Sequence, residues 1–352
     1  MSKFLAKRLS YLDVYVPGEQ PSDIQYIKLN TNESPFPPPD ALISAAKNEA
    51  GRLNIYPNTD GSKLIHKLAE HYNVRAENII IGNGSDELLA FTFHAFFDSG
   101  VIFPDITYGF YPVYAELYGV PYTEIPLCDD LTVDIKNYIS AGNNIILANP
   151  NAPTGIALSP DNIESIAKSN PDHLVVIDEA YVDFGARSAV QLTYKYDNLL
   201  VIHTFSKSRS MAGARLGYAI GSTAVIEDLN KMKYSFNPYN VNRLTQVLGE
   251  KALIEESYFI EKRREIIKTR DYTGCKLQNL GFSMTNSTAN FLFCKHPDIS
   301  GFDLYSRLKR KGILIRHWSK PRISDYVRIS IGTKDQMDTL ITAIEEILDE
   351  KE

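Results

Sequence analysis

Between Asp40 and about residue 240, short runs of β-branched and apolar residues alternate with stretches of helical periodicity. This alternation constrains the fold more than any other feature of the 352-residue chain. The runs are Asn78–Ile81, Val101–Phe103, Asn144–Ala148, Leu174–Ile177, Leu199–His203 and Gly217–Ile220. Several are apolar at successive positions rather than at alternate ones, so both faces of the strand must be covered. The intervening stretches Asp60–Tyr72, Asp86–Phe97 and Pro160–Ser169 supply the covering helices, the last opening on Ser159-Pro160 as cap and first turn. The pattern predicts an α/β domain with a mostly parallel sheet between helices.

The flanks differ in texture. Residues 1–39 are loop-rich and close on Pro35-Phe36-Pro37-Pro38-Pro39, which can be neither helix interior nor central strand. They read as an arm that packs across another surface. Beyond about residue 240, Asn242–Asn279 reads as one long helix with Glu261-Lys262-Arg263-Arg264-Glu265 on its solvated face. Strands at Ala289–Cys294, Gly312–Arg316 and Tyr326–Ile331 follow, with helices at Asp303–Lys311 and Lys334–Asp349. The expected division is an arm (1–39), a large domain (40–240) and a smaller α+β domain (241–352).

A net charge of −6 argues against nucleic acid or a membrane surface as the main partner. An anionic substrate must then meet a local cluster of arginines. Cys128, Cys275 and Cys294 are odd in number and have neither metal nor redox spacing, which suits a reducing compartment. His66 and His71 are five apart and do not share one helical face, so no metal site is expected. Met1–Ser10 is basic without an apolar core, and no apolar run approaches a bilayer's thickness. A cytoplasmic protein is expected.

Chemistry concentrates at the ends of the strands. After Leu199–His203 comes Thr204-Phe205-Ser206-Lys207-Ser208-Arg209-Ser210-Met211-Ala212-Gly213-Ala214-Arg215. A lysine at a sheet edge can form a Schiff base with a cofactor aldehyde, while Ser206 and Arg215 hold a phosphate; the plainer alternative is a solvated loop. Asp178, ending another strand, lies where open α/β sheets bind ligands, and could pair with a pyridine nitrogen or merely cap a turn. Tyr181 follows it and could donate to a ring oxygen. Gly82-Asn83-Gly84-Ser85-Asp86-Glu87 opens an apolar helix whose free N–H groups would seat a phosphate. Tyr108 could stack on a ring or simply pack, and Asn149-Pro150-Asn151-Ala152-Pro153-Thr154-Gly155 forms a rigid turn that fixes its asparagines. Arg316 and Arg328 sit within or at the end of apolar strands, where a guanidinium needs an anion. That anion is either a substrate carboxylate or phosphate, or an acidic residue of the chain.

In this order, the motifs resemble the fold-type I pyridoxal phosphate enzymes, and more narrowly the histidinol-phosphate aminotransferase family. The resemblance runs from Leu29-Asn30-Thr31-Asn32-Glu33-Ser34-Pro35 through Tyr56-Pro57 and Asp178-Glu179-Ala180-Tyr181 to Pro238-Tyr239-Asn240-Val241-Asn242 and Val327-Arg328-Ile329-Ser330-Ile331-Gly332-Thr333. It implies an aspartate aminotransferase-like fold, with a mostly parallel seven-stranded sheet sandwiched by helices and a smaller α+β domain. It implies pyridoxal 5′-phosphate on Lys207, with Asp178 at the ring nitrogen, Tyr181 at the ring oxygen and Tyr108 stacked on the ring. Ser85, Asp86, Ser206 and Arg215 would surround the phosphate. Tyr56 would reach the cofactor of a partner subunit in a homodimer. Arg328, helped by Arg316, would hold either the glutamate carboxylate or the histidinol phosphate group, with Tyr15 and Asn32 also at the substrate. The family's asparagine before Pro-Thr-Gly is Ala152 here, with Asn151 one residue early, so Tyr181, alone or with Asn151, is expected to serve the ring oxygen. The implied reaction is transamination between histidinol phosphate and 2-oxoglutarate in histidine biosynthesis. An aromatic amino acid aminotransferase and a phospho-amino acid decarboxylase are the competing readings.

Overall fold

Strands apolar on both faces can only be satisfied at the centre of a layered structure, and the computed structural model, which describes residues 2–21 and 24–350, has that arrangement. In chain order the strands are β1 (Ile27–Lys28), β2 (Ile79–Gly82), β3 (Val101–Pro104), β4 (Tyr122–Ile125), β5 (Asn144–Ala148), β6 (Val175–Asp178) and β7 (Leu199–Thr204). They continue with β8 (Gly217–Ile220), β9 (Ser283–Met284), β10 (Phe291–Lys295), β11 (Ile313–Leu314), β12 (Arg316–His317) and β13 (Val327–Ser330). Seven of them form one sheet in the order β2-β8-β7-β6-β5-β3-β4, with β8 alone antiparallel to its neighbours.

Alternation across this sheet separates two cores. Ile79, Ile81, Val175, Ile177, Leu199 and Val201 pack on one side against Leu64, Leu68 and Ile163. Ile80, Val176, Leu200 and Ile202 pack on the other against Leu88, Phe93 and Leu229. Each such aliphatic side chain contributes roughly 1.5–3 kcal/mol on burial. Strand β4 had no sequence signal because Tyr122, Thr123 and Glu124 are exposed at the sheet edge.

A second, four-stranded sheet has the order β12-β13-β10-β9 and packs Val327 and Ile329 against Leu304, Ile344 and Ile347. The expected single helix over Asn242–Asn279 is two helices, Arg243–Ile254 and Glu256–Asn279, separated at Glu255. The expected strand Gly312–Arg316 also divides. Ile313–Leu314 pairs with β1, tying the end of the arm to this half of the chain, while Arg316–His317 pairs with β13. The change of partner sets Arg316 directly opposite Arg328 in register.

No helix among the described residues is long and apolar enough to cross a membrane.

Candidate active site

Because β2, β3, β5, β6 and β7 run in one direction, their C-terminal ends line one edge of the sheet, and antiparallel β8 brings its N-terminal end to the same edge. Six segments distant in sequence thereby converge on a cavity of about 650 Å³.

The lysine loop follows β7. Lys207 reaches the cavity, and its Nζ donates to the backbone oxygen of Thr31 at 3.0 Å. Beside it, Asp178 ends β6 fully buried, accepting hydrogen bonds from Tyr111 Oη at 3.0 Å and Ala180 N at 3.2 Å. Burial pushes its carboxyl up to about 6, despite those two donors. Among the described residues no lysine or arginine pairs with it. Tyr181 is also on the wall; its hydroxyl accepts from Asn32 Nδ2 at 3.0 Å, leaving the hydroxyl hydrogen for another acceptor.

Also at the cavity, the helix Ser85–Phe96 begins at Gly84, with no side chain capping its leading N–H groups. Two glycines make room there. A Cβ on Gly217 would lie 2.4 Å from Ser85 N, and one on Gly84, where φ is +80°, would lie 2.6 Å from an Arg215 terminal nitrogen. Arg215 itself has φ +55°, a left-handed conformation that aims its guanidinium back at this helix end. It reaches Asp86 Oδ2 at 2.9 Å and Ser206 Oγ at 3.4 Å, while Tyr108 Oη donates to Asp86 Oδ1 at 2.9 Å. Burial and the Asp86 carboxylate hold the Tyr108 phenol well above its ordinary value.

The third wall comes from β12, β13 and the arm. Arg328 donates to Asn30 O at 3.0 Å, and its Nε is buried without a partner. Burial and the facing Arg316 charge push its guanidinium down from its ordinary value. Among the described residues neither arginine has a carboxylate within ion-pair distance, which removes the structural ion pair as their explanation. Tyr15, from the arm, stacks on Phe110 with ring centroids 4.1 Å apart and borders the cavity.

Two sequence expectations differ from what is found. Asn151 does not reach the cavity: its amide is consumed by Thr107 Oγ1, Ile106 O and Thr154 Oγ1, and Ala152 forms the wall instead. Asn32 lies behind the wall, with its Oδ1 accepting from Ser330 Oγ at 2.8 Å and its amide turned to Tyr181. Tyr56, expected at a partner subunit's cofactor and not its own, is 73% exposed, stacked on Tyr239 at 4.4 Å, and lies outside this chain's cavity. Conversely, Trp318 and Lys320 border the cavity from the loop after β12, which carried no periodic signal.

These residues fit pyridoxal phosphate. A buried carboxylate without a cationic partner suits a protonated ring nitrogen, an uncapped helix end beside Arg215 suits a phosphate, and Lys207 borders the same cavity.

Fold and site together define an aminotransferase of class I and II, and the model of that family matches residues 24–344. Histidinol-phosphate aminotransferase of Brachyspira hyodysenteriae is 47% identical over 99% of this chain and 99% of its own length. Histidinol-phosphate aminotransferase 1 of Bradyrhizobium diazoefficiens is 47% identical over 99% of this chain and 100% of its own. The crystal structure of histidinol-phosphate aminotransferase from Sinorhizobium meliloti in complex with pyridoxal 5′-phosphate superposes with a TM-score of 0.92 at 24% identity. It covers 100% of this chain and 99% of that one. The chain belongs to the histidinol-phosphate aminotransferase family of the class I and II aminotransferases.

Proposed function

We propose that the chain transfers an amino group between L-histidinol phosphate and 2-oxoglutarate with pyridoxal phosphate as cofactor, a step of histidine biosynthesis in the cytoplasm. The observation that carries this reading is geometric: the Lys207 amine, the Asp178 carboxylate and the Arg328 fork all border one cavity. Relatives 47% identical over almost the whole chain support the choice of substrate.

When bound, the cofactor supplies an electron sink for the carbanion formed at the substrate carbon that bears the amino group. The protein's residues do the rest. Lys207 would hold the cofactor through Nζ and, once freed, would move the proton at that carbon. Asp178, ionised, would keep a proton on the ring nitrogen. The Tyr181 hydroxyl would serve the ring oxygen unaided by Asn151. Tyr108 would face the ring, and Ser85, Asp86, Ser206 and Arg215 would hold the phosphate. Arg328, with its unpartnered Nε, holds the carboxylate of glutamate in one half-reaction and the phosphate of histidinol phosphate in the other.

The boundaries at about residues 40 and 240 separate the arm, the cofactor half and the substrate half. A homodimer completes each site: Leu53, Ile55 and Tyr56 are exposed apolar or aromatic side chains on one loop, and they suit cover by a second copy. Tyr15, Tyr108, Phe110 and Trp318 make the cavity aromatic, which favours aromatic amino acids as the second reading. A turnover assay with 2-oxoglutarate decides between them. Faster turnover of histidinol phosphate than of tyrosine supports the proposal; the reverse order moves the function to aromatic transamination. Release of carbon dioxide from threonine phosphate without a keto acid would make the protein a lyase.

A further inference from the structure

The loop that carries Tyr56 is held by its main chain rather than by its side chains. Leu53, Ile55 and Tyr56 are exposed, and residues 55–59 form neither helix nor strand, so their carbonyls must find donors elsewhere. Side chains of two helices supply them. Arg243 Nε donates to Ile55 O at 3.2 Å, and its Nη2 donates to Tyr56 O at 2.8 Å. Gln246 Nε2 donates to Asn58 O at 2.8 Å. Lys233 Nζ, from the helix Thr223–Phe236, donates to Thr59 O at 2.7 Å. Three side chains thus take four carbonyls of this short loop.

The donors are themselves fixed. Arg243 and Gln246 stand three residues apart in the first turn of the helix Arg243–Ile254 and so share one face. Asn242 caps that turn by accepting from Thr245 N at 2.9 Å, and Glu49 Oε1 lies 2.7 Å from Arg243 Nη1. Lys233 is 1% exposed, and withdrawing an ammonium from water is a costly way to hold one carbonyl of a surface loop unless the loop's shape is used. The ring is held as well. Tyr239 stacks on Tyr56 with the planes 20° apart. The next residue, Asn240, donates to Glu87 Oε2 at 2.5 Å, and that oxygen also accepts from Asn83 N at 2.7 Å in the turn before the phosphate helix.

We propose that Arg243, Gln246 and Lys233 are positioning residues: they fix the main chain of residues 55–59 so that each subunit presents the Tyr56 hydroxyl to the cofactor phosphate of its partner. This rests on the reading that Tyr56 completes a partner's site. It assigns to three residues remote from their own cavity an effect felt in the other subunit.

The test reloads cofactor-free enzyme with pyridoxal phosphate or with pyridoxal, which lacks the phosphate, and reads affinity from the visible band. Tyr56→Phe keeps the ring and removes the hydroxyl; it should weaken pyridoxal phosphate about tenfold and leave pyridoxal within about twofold. Arg243→Ala, and Gln246→Ala, which removes no charge, should show the same selectivity. In the Tyr56→Phe background, Arg243→Ala should add less than about twofold. Hydrogen exchange in the peptide spanning residues 52–61 of the cofactor-free protein should rise about fivefold in Arg243→Ala. The loss should also fall on the partner's site. In a dimer of one Arg243→Ala and one Lys207→Ala subunit, the single site that retains Lys207 is served by an intact loop, so it should bind cofactor with wild-type affinity. If Arg243→Ala weakens pyridoxal as much as pyridoxal phosphate, or if that mixed dimer keeps the defect, the clamp acts only within its own subunit and the proposal fails. Unchanged pyridoxal phosphate affinity in Tyr56→Phe would instead overturn the reading of Tyr56 beneath it.

Discussion

Replacing Asp178 by asparagine should stabilise the cofactor-free protein while destroying its hold on the cofactor. The carboxyl is fully buried, and its value rises from 3.8 to about 6 because burial outweighs the hydrogen bonds from Tyr111 and Ala180. The Asp86 charge pushes the same way, and His203 opposes it. A raised folded-state value means that the folded protein binds this proton more tightly than the unfolded chain does. The resulting stability is fully present below pH 4 and lost as pH rises to about 6. At about 1.36 kcal/mol per pH unit, the ionised carboxylate then costs about 3 kcal/mol at neutral pH. Asparagine does not titrate, though its amide faces two donors and returns about 1 kcal/mol of that gain. Thermal unfolding of the cofactor-free proteins should therefore give near-equal midpoints at pH 4. By pH 7.5 the Asp178→Asn protein should lead by several degrees, at about 2 °C per kcal/mol for a chain of this size. A midpoint difference that does not change with pH, or a variant less stable at pH 7.5, refutes the reasoning. The wild type tolerates this cost because a protonated ring nitrogen offsets it when the cofactor is bound.

Other outcomes follow from the same geometry. Lys207→Ala should abolish transamination, a fall of more than about 10³-fold, yet unfold within a degree or so of the wild type. The reason is that its amine makes a single hydrogen bond to Thr31; near-normal turnover would contradict its role. Arg328→Ala should raise KM for glutamate and histidinol phosphate together, each by about 30-fold or more; a rise for only one would show separate anion sites. Mixed dimers of Tyr56→Ala and Lys207→Ala subunits should regain activity, since one of their two sites is intact; a mixture no better than its parents would show that sites are not shared. Ala152→Asn, measured by ultraviolet–visible titration of the cofactor band, should lower the band's titration midpoint by supplying a ring-oxygen contact. An unchanged midpoint would show that Tyr181 already suffices.

The parts of this site that could be read from sequence are those fixed by burial. Strands β5, β6 and β7 are apolar on both faces, so their ends, and with them Asp178 and Lys207, could be located to within a residue or two. The helix Lys334–Asp349 has the bounds its pattern predicts, and the structure closes its start with a full capping box. Other features left no periodic trace. Edge strand β4 is polar, and the interruption at Glu255 falls between two stretches of compatible helical pattern. The change of sheet at Ile315, which sets Arg316 against Arg328, depends on where β1 docks. Spacing alone cannot tell which neighbour in a tight turn faces the cavity, so it leaves Asn151 a candidate cofactor ligand; its hydrogen bonds to Thr107 and Ile106 turn it away. Trp318 reaches the site from a loop, where residue type gives little guide to direction.

The most direct test of the central claim is a half-reaction spectrum. Cofactor-loaded protein is mixed separately with histidinol phosphate, glutamate, tyrosine and threonine phosphate, with no keto acid present, and the cofactor's visible band is followed. Rapid loss of the band with histidinol phosphate and glutamate, and slow loss with tyrosine, is the predicted result. A band that fades with tyrosine but stays unchanged with histidinol phosphate would contradict the account.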